Sequence, residues 1–392
     1  MPEPSGRPAP PRDIQLARPV TLALVGGFLG AGKTTAIRAL ASELERRGLR
    51  VGVVTNDQAP GLIDTLIGRR DGRPVAEVAG GCFCCRYEDM LDAVASLLPA
   101  EPDVLLCEPV GSCTDMAATV LNPFRAFYPE AFPLAPLTVL VDPARASIEV
   151  LEERPPLFGA EVGYILRKQL EEADAIALSK CDRVDDAEAA RLAALLERRF
   201  GRPVLLTSAT RGTGIARWAD LLLSGKRASA HALTDIDYDT YALGEAALGW
   251  LNATVRLRSS AGFDGAALAL ALVEGVRAAC AADSAQIAHL KVAIDAGKAW
   301  VRAHATATSE APEAHGEGAS HLAEAVLLVN ARIAMEPEAL EAAVRAVLQR
   351  VSGDLGVATE VETLTCFQPA YPRPPYRMAS VPPAGAREEP DA

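Results

Sequence analysis

Between residues 19 and 224 the chain alternates short apolar runs with amphipathic stretches. Apolar runs at 20–25, 51–55, 104–107, 137–141, 175–178 and 204–207 predict strands. Between them, residues 36–47, 89–98 and 187–199 place apolar side chains at helical spacing. Strands and helices taken in turn predict an α/β unit, a doubly wound and mainly parallel sheet with helices on both faces.

Residues 225–248 show no sustained period and are expected to be a linker. From residue 249 to 368 the pattern changes. Leu251, Ala253, Val255 and Leu257 alternate with Asn252, Thr254, Arg256 and Arg258, as in a strand with one wet face. A helix follows with Leu268, Leu272, Val276 and Cys280 on one stripe. Further strands are expected at 290–294, 299–306 and 326–333. A second helix starts at Pro337, carries Leu340, Val344, Val347, Leu348 and Val351, and stops near Gly353. Residues 357–367 supply a last strand. The order β-α-β-β-β-α-β predicts a small α+β domain, an antiparallel sheet covered by helices on one side. Residues 1–18 and 369–392, rich in proline, are expected to be disordered.

Composition narrows the function. The 392 residues carry 39 basic and 51 acidic side chains, a formal charge of -12. That balance argues against a nucleic acid held by charge, which needs a basic surface. The apolar run at 266–273 is short and bounded by Asp264, Glu274 and Arg277, so no membrane partner is expected. The N-terminal stretch lacks the pattern of a secretory leader, and the eight cysteines read as reduced thiols with metal or redox duties. The expected compartment is the cytoplasm.

Gly27, Phe28, Leu29, Gly30, Ala31, Gly32, Lys33 and Thr34 match the P-loop pattern G-x4-G-K-[ST], followed by Thr35. The motif follows a predicted strand and opens a predicted helix, as its mechanism requires. Glycines let backbone N–H groups wrap around phosphates, Lys33 adds a full charge and the Thr34 hydroxyl can bind Mg2+. A P-loop alone does not choose a base. Ser179, Lys180, Cys181 and Asp182 follow the next-to-last strand and are similar to the N-K-x-D element of GTPases, with serine in place of asparagine. A carboxylate there pairs with the guanine N1–H and 2-amino group, donors that adenine does not offer. The same four residues also fit a polar loop with a capping residue. Ser208 and Ala209 end the last strand of the unit and resemble the element whose alanine N–H meets guanine O6.

Gly80, Gly81, Cys82, Phe83, Cys84 and Cys85 put three thiols in four residues, a set that can converge on one soft ion. Three ligands leave a fourth position to water, histidine or a partner. With the P-loop, this stretch resembles the CobW-like family of P-loop GTPases, related to the nickel-handling HypB and UreG. Glu108, Pro109, Val110 and Gly111 and the Ser179 and Ser208 elements extend the likeness over residues 19–224. The resemblance implies that Glu108 organises Mg2+ through water and that the Gly111 N–H meets the γ-phosphate. It gives Asn56 and Asp57 the place of the first switch, with Asp57 in the magnesium shell. It implies GTP-controlled delivery of Zn2+ or another transition metal, Co2+ included, to a client metalloprotein or cofactor enzyme.

Lys33, Thr34, Glu108 and Gly111 are therefore the candidate catalytic groups for hydrolysis of GTP to GDP and phosphate, and no residue stands out to orient the water. His304, His315 and His321 fall in one polar span and read as solvated. Cys113, two residues after Gly111, is placed to approach the cluster, whereas Cys107, Cys181, Cys280 and Cys366 read as packed thiols. Asn252, Thr254, Arg256, His289, Lys291, Trp300, Arg302, Asn330 and Arg332 fall on the polar face of the second sheet, which reads as solvated or, alternatively, as a basic docking surface. Rival readings are a GTP-dependent switch for a corrinoid or other cofactor-loaded enzyme with redox-sensing thiols, a zinc-stabilised module with a vestigial P-loop, and a small-molecule kinase. The oligomeric state stays open between monomer and homodimer.

Overall fold

The computed structural model describes residues 9–56, Ile63 and residues 72–381. Its first half is a seven-stranded, all-parallel sheet in the order β3-β2-β4-β1-β5-β6-β7. The strands are β1 (Thr21–Gly27), β2 (Val51–Asn56), β3 (Val75–Val78), β4 (Val104–Glu108), β5 (Thr138–Val141), β6 (Ala175–Leu178) and β7 (Val204–Leu206). On β1, Leu22 and Leu24 point into one apolar cluster, and Ala23 and Val25 into another. A strand buried on both faces has no polar alternation, which is why these runs read as continuous apolar segments.

Helix α1 (Lys33–Arg46) packs on one face with Ile37, Leu40 and Leu44 inward, and α2 (Tyr87–Leu97) on the other with Met90, Leu91 and Val94 inward. Helix α3 (Asn122–Phe127), α4 (Ala160–Glu171), α5 (Asp186–Phe200) and α6 (Ile215–Leu223) complete the wrapping. Helix α5 shows the local logic clearly: Asp185 caps its first turn by accepting from the Glu188 N–H, and Gly201 ends it in the left-handed region.

The stretch expected to be a linker contains α7 (Tyr238–Ala246), which buries Tyr241, Gly244 and Glu245 and packs on α4. Gly244 makes this possible, since an added Cβ would lie 2.6 Å from the Glu161 carbonyl. Its amphipathic signal is weak because a close helix crossing rests on a glycine, not on an apolar stripe.

The second sheet is antiparallel in its described pairings, in the order β11-β10-β9-β12-β8-β13. Its strands are β8 (Gly249–Phe263), β9 (Ile287–Ala296), β10 (Ala299–Ala305), β11 (Glu313–Glu317), β12 (Leu322–Ile333) and β13 (Ala358–Phe367). Helices α8 (Gly265–Ala282) and α9 (Pro337–Asp354) cover one face. Helix α8 is long and apolar enough to cross a membrane by composition. Its Leu268, Leu272 and Val276 are buried against the sheet, as in a core helix. The edge strands β3 and β11 were not foreseen, because Glu313, His315 and Glu317 give no apolar period and only pairing with β10 defines that strand.

Two expected disordered segments are partly ordered. Ile14 and Leu16 pack on the first core, and Arg12 reaches Asp92 at 2.7 Å. After β13 the chain runs back to the first unit, where Tyr376 meets Tyr87 and Phe127 edge-on at 5.3 Å each. Arg377 donates to Asp115 Oδ2 at 2.7 Å, and the Met378 N–H to the Ala118 carbonyl at 2.9 Å.

Candidate nucleotide and metal sites

The P-loop leaves β1 at Gly27 and enters α1 at Lys33. Gly30 and Gly32 have φ of 79° and 87°, a region costly for residues with a Cβ. The buried Lys33 ammonium curls over the loop, donating to the Gly27 carbonyl at 2.8 Å and the Phe28 carbonyl at 3.4 Å. The Thr34 hydroxyl donates to Glu108 Oε1 at 2.9 Å, because β4 pairs directly with β1 and brings its last residue to the first turn of α1. Gly111 backs onto the loop so closely that a Cβ would lie 2.8 Å from the Leu29 nitrogen. Gly30, Gly32, Lys33, Thr34, Thr35, Glu108, Gly111 and Lys180 line one cleft. Asp57 lies outside the described residues. Thr34 and Glu108 are oxygen donors in hydrogen-bond contact beside the P-loop lysine, a donor set that fits a hard cation such as Mg2+.

The other wall of this cleft belongs to the second sheet. Trp250, His289, Lys291, Arg302, His304 and Arg332 line it together with the P-loop. The expectation of a solvated polar face therefore fails for this part of the sheet: Arg332 is 0% exposed, Asn330 2% and His289 9%. Alternation identifies a polar face but not what covers it. Arg332 stacks on Trp250 at 4.3 Å and donates to Asn252 Oδ1 at 2.8 Å and the Leu251 carbonyl at 3.0 Å. Burial lowers the pKa of His289 well below the usual imidazole range and that of His304 to about 3, so both face the cleft neutral. Lys291, Arg302 and Arg332 carry its positive charge on this side. His315 stacks on His304 with ring centroids 6.0 Å apart, and His321 lies away from both at the start of β12.

The base-recognition candidates sit at the adjacent C-terminal ends of β6 and β7. Ser179, which replaces asparagine, donates its hydroxyl to the Ala31 carbonyl at 2.7 Å and so ties this loop to the P-loop. Lys180 adopts a left-handed conformation at φ 51° and passes 3.6 Å from where a Gly32 Cβ would stand. Burial lowers its pKa. Asp182 is partly exposed, with Arg211 3.9 Å away, and Ser208 accepts from the Arg211 N–H at 3.2 Å. Ala209 follows on the same turn. These residues form a rim beyond Lys180 and do not line the cleft themselves.

The Cys82, Cys84 and Cys85 sulfurs all lie within 4.8 Å of one another in the loop before α2. The Cys82 and Cys84 sulfurs are in direct contact, and both thiols must be reduced and deprotonated to hold a metal. Cys85 accepts from the Arg373 N–H at 3.3 Å, and burial pushes its thiol pKa up. The thiols and the cleft meet through Asn56, at the end of β2. Its amide donates to the Val78 and Gly81 carbonyls at 3.0 and 2.7 Å, and its oxygen accepts from Phe83 N–H at 2.8 Å and Val110 N–H at 3.4 Å. One buried side chain thus binds the cysteine loop to the Glu108–Gly111 segment and also lines the cleft. Sequence pattern placed Asn56 in a switch but gave no sign of these four bonds. Glu245 was missed as well: it is buried, accepts from the Ser112 hydroxyl, and burial raises its pKa to about 7.

A parallel sheet with a P-loop at the end of β1, a carboxylate on β4 and a thiol cluster beside them defines a P-loop nucleotide-binding unit joined to a metal-type site. Residues 21–202 match the CobW/HypB/UreG nucleotide-binding domain. Over those residues, a little under half of its length, the chain is similar to the CobW/HypB/UreG nucleotide-binding domains. It is 29% identical to the zinc chaperone YjiA of Escherichia coli over 178 residues, 43% of this chain and 52% of that one. It is also 29% identical to the zinc chaperone CobW of Pseudomonas aeruginosa over 225 residues, 50% of this chain and 57% of that one. The chain thus spans about half the length of these curated relatives. A solved structure of Zn(II)-bound YjiA GTPase from E. coli is similar at 16% identity and TM-score 0.34, over 84% of this chain and 99% of that one.

Proposed function

We propose that this chain is a Mg2+-dependent GTPase that binds a transition metal through Cys82, Cys84 and Cys85 and hands it to a client metalloprotein or cofactor pathway. The observation that carries the reading is Asn56, whose buried amide holds the cysteine loop and the Val110 backbone at once. A change at the nucleotide cleft therefore has a rigid route to the thiols.

Mg2+ would be held by Thr34 and Glu108 and would offset charge on the nucleotide phosphates. Lys33 and the backbone N–H groups of the P-loop bind and orient the phosphates. The second sheet adds Lys291, Arg302 and Arg332 to the same wall and helps to exclude water. Asp182 favours guanine by accepting from its edge donors. The three thiols take a soft ion once Cys82 and Cys84 are reduced.

Metal affinity is measured by competition with a chromophoric chelator, in Mg2+ with a non-hydrolysable GTP analogue and then with GDP. The reading expects tighter binding in the GTP state, and linkage demands that metal tighten GTP by the same factor, about 5- to 150-fold for typical couplings. Lys33→Ala abolishes turnover while the protein stays folded. Equal metal affinities in the two nucleotide states overturn delivery driven by hydrolysis. The contact between the Cys82 and Cys84 sulfurs also fits a second reading, in which the thiols sense redox state for a cofactor-loaded partner. Metal absent from protein purified under reducing conditions selects it.

A further inference from the structure

We propose that Cys113 is the fourth thiolate of the metal site, carried on the loop that the nucleotide moves. The inference rests on the metal reading of Cys82, Cys84 and Cys85 and adds a ligand from a different loop.

Distances make the case. Cys84 Sγ lies 3.8 Å from Cys85 Sγ and 3.9 Å from Cys113 Sγ. A tetrahedral zinc site with Zn–S arms of about 2.3 Å has S–S edges of about 3.8 Å. Cys84 therefore stands at a coordination edge from both neighbours, although 29 residues separate it from Cys113. Cys113 is 1% exposed and packs within the first core. A buried small apolar side chain would satisfy that packing equally well and would not require a sulfur at this spacing. Cys113 lies outside the group of sulfurs that are mutually within 4.8 Å, so one ion gathers all four only when a loop shifts.

The loop carrying Cys113 is built to respond to the cleft. It follows Glu108 and Gly111, which line the cleft, and the Cys113 N–H donates to the Val110 carbonyl at 2.9 Å. Val110 is in turn held by Asn56. Gln169 on α4 donates to the Gly111 and Cys113 carbonyls at 3.0 and 2.7 Å, so one side chain ties both ends of this segment together. With Cys113 engaged the site is a closed set of four thiolates. With Cys113 withdrawn it keeps three and an open position, the arrangement from which an ion can pass to a client. Each thiol that becomes a ligand releases its proton to solvent.

The test uses the full chain, its thiols reduced, with Co2+ as the probe. Sulfur-to-cobalt charge-transfer absorption reports the number of thiolates bound. In Mg2+ with a non-hydrolysable GTP analogue, the unaltered protein is expected to give the stronger band and the tighter Co2+ affinity. In Cys113→Ser the band falls by about one quarter, three thiolates in place of four, and the affinity difference between nucleotide states collapses. Cys113→Ala gives the same result if ligation matters and not a new polar group in the core. Both variants keeping the full band and the full nucleotide dependence overturns the proposal. If Cys84→Ser abolishes binding while the Cys113 variants are unchanged, only the fourth ligand is lost and the three-thiol reading stands. If the unaltered protein binds Co2+ no better than Cys84→Ser, the metal reading itself fails, and this inference with it.

Discussion

Single side chains at the cleft do work that their motif letters do not announce. The serine in place of asparagine at Ser179 bonds the P-loop carbonyl of Ala31, so it ties two loops together. In the proposed function, Asp182 is the residue that would choose the base. Asp182→Asn exchanges an acceptor for an amide and is expected to relax the preference for GTP and favour xanthine nucleotides. A lost pairing of this kind costs about 1–3 kcal/mol, read as competition between nucleotides in a binding titration. Glu172 offers a test at the same scale. Its carboxyl is buried, accepts from the Ala117 N–H at 3.0 Å and has its pKa raised to about 8, chiefly by burial. The folded state therefore holds a proton that the unfolded state releases at ordinary carboxylate pH. Stability is greatest at low pH on this account and is lost as pH rises from about 4.5 through about 8. Glu172→Gln removes that slope, and its melting temperature is expected to exceed that of the unaltered protein by a few degrees above pH 8 and to match it near pH 4.

At the scale of elements, the pieces with the weakest patterns make contacts that matter for the site. Helix α7 reads as a linker, yet it buries Tyr241 and places Glu245 on Ser112, one residue from Gly111. The segment after β13 reads as disordered, yet it covers Cys85 with the Arg373 N–H and seats Tyr376 between Tyr87 and Phe127. Tyr87 opens α2, the helix that follows the cysteines, so this segment braces the thiol loop from outside. Tyr376→Ala is expected to cost about 1–3 kcal/mol in urea unfolding, from lost apolar area and two edge-on ring pairs. An unchanged midpoint would show that the segment merely rests on the surface.

Across the whole molecule, the second sheet lines the same cleft as the P-loop. Its helices cover one face, and the opposite face closes over the P-loop, so that an added Cβ on Gly30 would lie 2.7 Å from the Ala288 carbonyl. Lys291, Arg302 and Arg332 give an acidic protein a local positive wall where phosphates are expected. Lys291→Glu is expected to weaken nucleotide binding about tenfold or more, roughly 1.4 kcal/mol, with little change in melting temperature without nucleotide. Fluorescent GTP-analogue titration checks this, and an unaltered affinity would remove the second sheet from the phosphate site.

What the chain determines by itself are features written in local order. The P-loop, the Glu108 and Gly111 segment, the Cys82–Cys85 cluster and the alternation of β8 are contiguous, because backbone wrapping, a convergent set of thiols and a two-residue pleat each need neighbours in sequence. The tertiary structure decided what long separation conceals. It placed Cys113 against Cys84 and Arg373 against Cys85, gave Asn56 four partners from β3 and two loops, and set the polar face of the second sheet against the P-loop. The physical reason is that alternation records only whether a face is polar. A polar face turned to water and one turned to a nucleotide cleft carry the same pattern, and only packing tells them apart.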